Sequence, residues 1–358
     1  MKILSREFLK TPTPSVHAAS IAFYEDHPVF SWFGGSREGN PDIAIYLNNL
    51  NNDGQNILIG SKDRIPRWNP ILVPINDKLI LFEKSGVFCD RWQTFVHDIS
   101  NWSNNITEKE IFQTAIVLPA GLNGPVKSCP IIDEEGYIVC GSSVETIYDW
   151  TSYIETFSIF FGNPIGVNYI SRSRPLNIKT KTNFVSPRTG VTSRTLGVIQ
   201  PTLWATKGPL PGDEDYQGRV YHAFFRSSRG LGKVYYSRSY VDEDEDFDNE
   251  WTLPVPTNLD NPNSAVDVVY HNDRLFLVHN PSTVLRNPLV LSEIDLFYDG
   301  SCAECQIKDQ IEITNKVDEN IPLISRELSY PYMIEHGGKL HLVYTYGRVK
   351  IEYITIEI

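Results

Sequence analysis

Basic side chains recur along the chain, each beside a short apolar run. They are His17, Arg37, Lys127, Arg226 and Arg286. A guanidinium group forms two parallel hydrogen bonds with a carboxylate, so such arginines suit an anionic ligand. The chain as a whole carries 32 Lys and Arg against 44 Asp and Glu, a formal net charge of −12. A cluster of cations against that acidic background predicts a site that attracts a carboxylate-bearing molecule.

Carboxyl side chains form a second candidate set, which comprises Glu38, Asp42, Glu145, Asp267 and Glu327. General acid catalysis needs a carboxyl whose pKa is raised toward the working pH. We expect Glu38 to be the proton donor and Asp42 to be the second choice, because the apolar pair 32–33 precedes them and apolar surroundings raise a carboxyl pKa. Asp42 also opens an alternating run, where it would instead stabilise a turn. Glu145 follows two serines, and it either binds substrate hydroxyls or caps a turn.

A repeated pattern must position these residues. A strand-like apolar run, a short polar turn and a second alternating run appear at 18–33, 70–83, 130–142, 266–280 and 332–346, and a copy split by a polar loop spans 201–205 and 219–227. The turns fall near residues 26, 76, 135, 212, 272 and 337. A repeat of about sixty residues is typical of propeller blades. We therefore predict an all-β chain, a six-bladed β-propeller of four-stranded antiparallel blades, forming a single domain over 1–358.

The two ends of the chain support closure of the ring. The last unit offers three strands, and residues 1–9 can supply the fourth, so the N-terminal strand is predicted to close the last blade and hide both edges. Residues at the starts of first strands and the ends of second strands would then gather around the channel at one face. Helical periodicity is scarce, with one short helical turn expected within 103–117, and the acidic run 242–250 is predicted to be a solvated loop.

The composition argues against several classes of protein. A net charge of −12 disfavours binding to nucleic acid and to anionic membranes. No apolar stretch approaches the roughly 20 residues of a membrane helix. The apolar N-terminal segment is broken by Ser5, Arg6 and Glu7, unlike a secretory signal, so a cytoplasmic location is expected.

Cofactor and metal motifs are also missing from the sequence. Five scattered cysteines do not form a disulfide framework, and the one CxxC, Cys302 to Cys305, lacks the second pair that a zinc site needs. The eight histidines show no HExxH spacing, and there is no Walker or GxGxxG motif. We therefore expect no metal and no cofactor.

Several motifs resemble the family of BNR-repeat, sialidase-like propeller proteins. In chain order they are residues 17–20 (HAAS), 32–46 (WFGGSREGNPDIAIY), 68–70 (WNP), 124–127 (GPVK), 142–145 (SSVE), 199–201 (IQP), 225–227 (FRS), 261–267 (NPNSAVD) and 327–331 (ELSYP). Segments 239–252 and 292–300 resemble degenerate copies of the Asp-box, a turn motif of sialidase propellers. The matches span nearly the whole chain, so the resemblance implies a propeller that handles an acidic sugar.

The resemblance also implies roles for individual residues. Sialidases hold the sugar carboxylate with three arginines, protonate from an acidic residue on a first-blade loop and use a Tyr nucleophile activated by a Glu. On that pattern Tyr330 is the nucleophile, Arg226 and Arg286 are triad arginines, and Glu38 or Asp42 is the acid. The further residues expected to contact substrate are Arg37, Asn69, Lys127, Glu145, Gln200 and Asp267.

Two positions depart from the family pattern. His17 stands where the first triad arginine is expected, and Gln200 stands where the Glu partner of the tyrosine is expected. A glutamine amide cannot take the proton from a phenol whose pKa is about 10. The nucleophilic role of Tyr330 therefore lacks its usual base.

These observations favour a metal-free, exo-acting glycosidase that releases a terminal acidic sugar, such as sialic acid or a related nonulosonic acid, from a glycan. One alternative is a lyase or hydrolase that cuts beside a uronate, with His17 and Tyr330 as its acid–base pair. Another is a non-catalytic propeller that binds acidic glycans, which the Gln200 departure supports. Trp68 and Trp204 are better explained as packing residues than as aromatic rings on which a sugar stacks.

Overall fold

The computed structural model describes residues 1–49, 56–60, 64–100, 115–146, 149–162, 165–178, 183–185, 192–194, 196–208, 218–241 and 250–358. Within these ranges the regular structure is β-strand, apart from two single-turn 3₁₀ helices at Cys89–Arg91 and Leu323–Ser325. No helix in the described ranges is long and apolar enough to cross a membrane. The all-β fold predicted from the sequence is confirmed.

The described strands form four-stranded antiparallel units, which we call blades 1 to 6 in chain order. Blade 1 comprises β2 (Ser15–Tyr24), β3 (His27–Gly35), β4 (Ala44–Asn49) and β5 (Asn56–Ile59). Blade 2 comprises β6 (Arg67–Ile75), β7 (Lys78–Ser85), β8 (Gln93–Asp98) and β9 (Ile116–Val117). Blade 3 comprises β10 (Ile131–Ile132), β11 (Ile138–Glu145), β12 (Trp150–Phe160) and β13 (Gly166–Arg172).

The second half of the chain continues the same arrangement. A separate hairpin, β14 (Asn183–Val185) and β15 (Thr192–Arg194), precedes blade 4. Blade 4 comprises β16 (Val198–Lys207), β17 (Arg219–Ser227), β18 (Lys233–Val241) and β19 (Val255–Asp260). Blade 5 comprises β20 (Asp267–His271), β21 (Arg274–His279), β22 (Leu289–Tyr298) and β23 (Ala303–Thr314), and one parallel bridge joins it to blade 4.

Blade 6 joins the two ends of the chain. It comprises β24 (Leu328–His336), β25 (Lys339–Tyr346), β26 (Lys350–Glu357) and β1 (Lys2–Phe8), in which β1 pairs antiparallel with β26. The N-terminal strand therefore occupies the outer edge that β26 would otherwise expose, as the sequence predicted. The four-stranded propeller architecture is confirmed, whereas the count of six for the whole chain stays a prediction, because it is read from the described residues alone.

The hairpin turns lie where the repeat placed them. Asp26, Asn76 and Asn272 have φ values of 58°, 55° and 51°, and Gly337 has φ of 60°. Tight hairpin turns need this left-handed conformation, which Asn, Asp and Gly tolerate best. The expected turn near residue 212 lies outside the described residues.

Other expectations fall on or beside parts of the chain that lie outside the described residues. The short helical turn was expected within 103–117, of which residues 103–114 lie outside the described residues, and Ile116–Val117 at its end form β9. The acidic run lies outside the described residues except for Glu250. Ser292 and Asp295 lie inside strand β22, so no Asp-box turn forms there.

Burial explains why the central strands are so apolar. All but the first residue of β7, KLILFEKS, is buried, because neighbouring blades cover both faces of the strand. The outer strand β23 has most of its residues exposed, in keeping with its charged sequence. The first strands of adjacent blades, such as β2 with β6 and β16 with β20, pack against one another and line the central channel. The starts of these strands therefore meet at one face.

Candidate functional site

A repeated β-bulge positions side chains at this face. The pairing register shifts between His17 and Ser20 in β2, and the same shift recurs near the start of β6, β16 and β24. In each bulge one non-glycine residue has a left-handed backbone: Ala18 (φ 51°), Asn69 (φ 44°), Gln200 (φ 54°) and Tyr330 (φ 53°). Such conformations are strained, and they concentrate at functional sites.

Hydrogen bonds between blades hold the bulges in place. The Ala18 amide donates to Thr345 Oγ1 at 3.2 Å, Asn69 Nδ2 donates to the Val126 carbonyl at 3.0 Å, and the Gln200 amide donates to Ser143 Oγ at 2.8 Å. Each bond joins a bulge to the neighbouring blade. The strained positions are therefore fixed by tertiary contacts.

The bulges surround a cavity of about 450 Å³. Its lining is mostly polar or aromatic and comprises His17, Phe33, Glu38, Gly39, Trp68, Asn69, Val87, Cys89, Trp92, Glu145, Gln200, Arg226, Arg286, Tyr330 and Arg348. The volume falls in the range of small-molecule sites. The structure thus brings together eight of the twelve predicted site residues: His17, Glu38, Asn69, Glu145, Gln200, Arg226, Arg286 and Tyr330.

Arg226, which is 7% exposed, is held by neutral partners. Its Nη1 donates to Gln200 Oε1 at 2.9 Å and to the Tyr330 hydroxyl at 3.0 Å, and its Nε donates to Asn263 Oδ1 at 2.8 Å. Among the described residues no carboxylate forms an ion pair with it. Its positive charge is therefore available to an anion in the cavity.

Two further arginines share one carboxylate. Glu327 accepts from Arg286 Nη1 at 3.3 Å and from Arg348 Nε at 2.9 Å, and it also accepts from Ser329 Oγ. Arg348 Nη1 forms a second ion pair, with Glu38. Burial and the nearby Arg226 charge lower the pKa of Arg286, and burial lowers the pKa of Arg348.

His17 lies among the three guanidinium groups. Burial, followed by the charges of Arg348, Arg286 and Arg226, lowers its pKa well below 6.5, so the imidazole is neutral at pH 7. Its Nδ1 lies 3.0 Å from Thr345 Oγ1, and its ring centroid is 4.2 Å from that of Tyr330. The same surroundings make this imidazole a weaker base than an exposed histidine.

The Tyr330 hydroxyl oxygen accepts two hydrogen bonds. One comes from Arg226 Nη1 and the other from Gln200 Nε2 at 2.9 Å. The glutamine that replaces the expected glutamate thus donates to the phenol oxygen and does not accept its proton. Both bonds stabilise negative charge on that oxygen.

An aromatic wall forms another side of the cavity. The Trp68 ring lies 5.2 Å from Phe33 and 5.9 Å from Trp92 between centroids, and Trp68 Nε1 donates to the Gly86 carbonyl at 2.8 Å. Trp68 is therefore both a packing residue and part of the lining. Trp204 lines a different cavity and stacks on His222 at 4.9 Å.

Two predicted residues on the first-blade loop lie outside the cavity lining. Arg37 is exposed. Asp42 accepts hydrogen bonds from the Ser36 amide at 2.8 Å and from Ser36 Oγ at 2.9 Å, so it closes a turn. Glu38 does reach the cavity, but 42% of its side chain is exposed and its carboxylate is paired with Arg348. The apolar enclosure expected around Glu38 is wrong.

Lys127 and Asp267 lie deeper in the channel and do not line this cavity. Lys127 Nζ is 3.7 Å from Asp267 Oδ2 and donates to the carbonyls of Val266 and Pro331. Asp267 also accepts from Thr202 Oγ1 at 2.7 Å. Burial lowers the pKa of Lys127 to about 8, although the neighbouring Asp267 opposes this. This ion pair joins the segment that precedes β10 to β20 of blade 5, and Asp267 lines the cavity that contains Trp204.

Arg348 is the charged residue of the cavity lining that sequence reasoning missed. It follows Gly347 in the turn between β25 and β26 and has φ of 58°. Only the starts of first strands and the ends of second strands were expected to reach the channel, and Arg348 lies just beyond the end of β25. Extending the same rule into the turn that follows each second strand would have found it.

In the described part of the chain, no group of three or more His, Cys, Asp or Glu side chains could hold a metal ion. The arrangement is a partly enclosed site with three arginines, a neutral histidine, a tyrosine and two lining carboxyls. Such a site can bind a carboxylate and offers both proton donors and proton acceptors.

A sequence model of the BNR repeat-like domain matches residues 27–342. The fold is similar to that of Trypanosoma rangeli sialidase in complex with sialic acid, with a TM-score of 0.54 and 12% identity over 100% of this chain and 58% of that chain. The chain thus spans less than two thirds of that sialidase. No curated protein sequence matches the chain.

Two other solved structures match over nearly their full length. A neuraminidase-like protein of A/little yellow-shouldered bat has a TM-score of 0.54 and 10% identity, and 99% of each chain is covered. Penicillium chrysogenum alpha-L-arabinanase complexed with arabinobiose has a TM-score of 0.51 and 10% identity over 100% of this chain and 99% of that chain. At this identity the likeness shows the fold alone.

Proposed function

The chain belongs to the family of BNR repeat-like domains, and from that premise we propose that it is a glycosidase that releases a terminal acidic sugar from a glycan. Sialic acid or a related nonulosonic acid is the proposed sugar. The observation that carries this proposal is Arg226, a buried cation whose described hydrogen-bond partners are all neutral. A buried charge without a counter-ion is costly, so the site favours an anionic ligand.

The other two arginines extend the anion site. Arg286 and Arg348 are balanced by Glu327 and Glu38, so they add directed hydrogen bonds with less net charge. The three guanidinium groups take the place of the arginine triad that the family resemblance implies, with Arg348 in the role that the sequence left unfilled at His17. Hydrogen bonds from three guanidinium groups favour a carboxylate ligand.

Tyr330 is the proposed nucleophile or charge stabiliser at the anomeric carbon. The hydrogen bonds from Arg226 and Gln200 stabilise negative charge on its oxygen. Since Gln200 cannot accept the phenol proton, His17, whose ring packs against that of Tyr330, is the proposed acceptor once a bound carboxylate offsets the three guanidinium charges that add to burial in lowering its pKa. This arrangement replaces the tyrosine–glutamate pair of sialidases by a tyrosine–histidine pair.

The same pair supports a second candidate function, a lyase acting beside a uronate. A lyase needs a neutral base near the carbon whose proton it removes and cations that neutralise the adjacent carboxylate. His17, Tyr330 and the three arginines meet both needs. A lyase would leave an unsaturated sugar, whereas a glycosidase would not.

The experiment that tests the proposal follows product release by NMR. The protein is incubated with sialosides, glycosides of other nonulosonic acids and oligosaccharides that end in a uronate. We expect release of a free acidic sugar, and the anomer formed first shows whether configuration is retained. A new double-bond signal from the uronate substrate would favour the lyase. Ligand line broadening without any turnover would leave a non-catalytic glycan-binding propeller.

A further inference from the structure

Two carboxyl side chains line the cavity among the described residues, and their surroundings differ. Glu38 is exposed and is already paired with Arg348. Glu145 is half-buried, and its carboxyl has no hydrogen bond and no ion pair with any described residue. A carboxyl that contacts a cavity without an internal partner is free to bond a ligand. Glu145 therefore differs from Glu38 in being available for chemistry.

The position of Glu145 places it away from two of the arginines. It ends β11 on blade 3, and its carbonyl accepts from Cys89 Sγ at 3.3 Å, next to the aromatic wall of blade 2. Arg286 and Arg348 belong to blades 5 and 6, and Arg226 belongs to blade 4. A sugar whose carboxylate is held by the three arginines would extend across the cavity toward blades 2 and 3. Its glycosidic oxygen would then approach Glu145.

We propose that Glu145 is the proton donor to the leaving group, an inference that rests on the glycosidase function proposed above. As the C–O bond breaks, its electron pair passes to the glycosidic oxygen, the carboxyl proton moves to that oxygen, and the aglycone leaves as an alcohol. Water then supplies a hydroxyl group to the anomeric carbon, and its second proton restores the Glu145 carboxyl. The net reaction is hydrolysis, with no other co-reactant.

The electrostatics of the position support this role. Burial raises the pKa of Glu145, and the Arg226 charge offsets part of that rise. The Cys89 thiol of the 3₁₀ helix, whose pKa is raised by burial, lies close enough for the Glu145 charge to raise that pKa further. A raised pKa keeps a larger fraction of the carboxyl protonated near neutral pH, as a general acid requires.

The test compares Glu145→Gln with Glu38→Gln on two substrates of the same acidic sugar. One carries an alkyl aglycone, which must be protonated to leave, and the other carries p-nitrophenol, which leaves without a proton. We expect Glu145→Gln to lower kcat/KM on the alkyl glycoside by about 10²- to 10⁴-fold and on the nitrophenyl glycoside by less than about tenfold. The decline of wild-type activity at high pH should disappear in this variant.

Glu38→Gln is the matched control, because it removes the other lining carboxyl without changing side-chain volume. We expect it to affect both substrates to the same extent, through the position of Arg348. Equal losses on both substrates in Glu145→Gln, or full activity on the alkyl glycoside, would overturn the assignment while leaving the glycosidase intact. No hydrolysis of either substrate by the wild-type protein would overturn the glycosidase function itself, and the assignment with it.

Discussion

Replacing Arg226 with Met tests the anion site directly. Methionine keeps an unbranched side chain but removes every donor of the guanidinium group. The change breaks the hydrogen bonds to Gln200 Oε1, Tyr330 OH and Asn263 Oδ1, which measure 2.8 to 3.0 Å. It also removes the charge that lowers the pKa of Arg286.

The expected magnitude follows from these contacts. A hydrogen bond to a charged group contributes about 1.5–3 kcal/mol, and three independent bonds would sum to more than 4 kcal/mol. Water in the cavity can solvate the freed oxygens, and both the cost of burying the unpaired Arg226 charge and its repulsion with Arg286 are relieved, so we expect a net loss of at most about 2 kcal/mol in the free energy of unfolding. A lost charge-assisted contact between Arg226 Nη2 and the ligand carboxylate should cost about 2–3 kcal/mol, which is roughly 30- to 150-fold in Kd.

The assay pairs urea denaturation with calorimetric titration of an acidic sugar and its methyl ester. Arg219→Met is the matched control, since Arg219 lies at the other end of β17, outside the cavity lining, and pairs with the exposed Glu134 at 2.9 Å. We expect it to change stability by less than about 1 kcal/mol and affinity not at all. Equal binding of the acidic sugar by Arg226→Met and wild type, or equal binding of acid and ester by wild type, would refute the reasoning.

Three further predictions concern the channel, the blade core and the cavity rim. Lys127→Met leaves Asp267 buried without its cation, so urea denaturation should show a free energy of unfolding that is lower by about 3–5 kcal/mol. An unchanged denaturation midpoint would show that the ion pair does not stabilise the ring. Burial lowers the pKa of His222 to about 3, so below pH 6.5 the unfolded state binds a proton that the folded state does not, and stability rises with pH. Between pH 7 and pH 5 the lowered pKa of His222 reduces the free energy of unfolding of the wild type by about 2 kcal/mol. Denaturation of His222→Asn should therefore show a pH dependence that is weaker by that amount. Burial and Glu145 raise the pKa of Cys89, so alkylation of this thiol should accelerate as pH rises to 9 and above. Because Cys89 lines the cavity, bound acidic sugar should protect it from alkylation but should not protect exposed Cys302. Equal labelling of both cysteines with and without sugar would contradict the placement of the ligand.

Much of the fold follows from local pattern. The hairpin turns at Asp26, Asn76 and Asn272 need a left-handed backbone, which Asp and Asn tolerate. The local sequence therefore locates these turns. The apolar run 79–82 of β7 could be recognised because a strand covered on both faces is largely apolar. The closure of blade 6 by β1 could be predicted because both ends of the chain have strand character and an open edge is unfavourable.

The candidate site was predictable only in part. His17, Gln200 and Tyr330 could be found because a residue near the start of a first strand reaches the channel whatever the detailed packing. Arg37 and Glu38 are adjacent in sequence, yet only Glu38 lines the cavity, and nothing local distinguishes them. Lys127 reads as another basic site residue, but it is buried against Asp267 deeper in the channel.

The sequence by itself determined the strand pattern, the hairpins and the ring closure, because these depend on side-chain periodicity and turn chemistry within one repeat. Only the tertiary structure decided which charges meet. The pairing of Glu327 with Arg286 and Arg348, and the neutral state of His17 among three arginines, arise where blades that are far apart in sequence converge. Coulombic energies depend on distance and burial, and neither can be read from spacing along the chain.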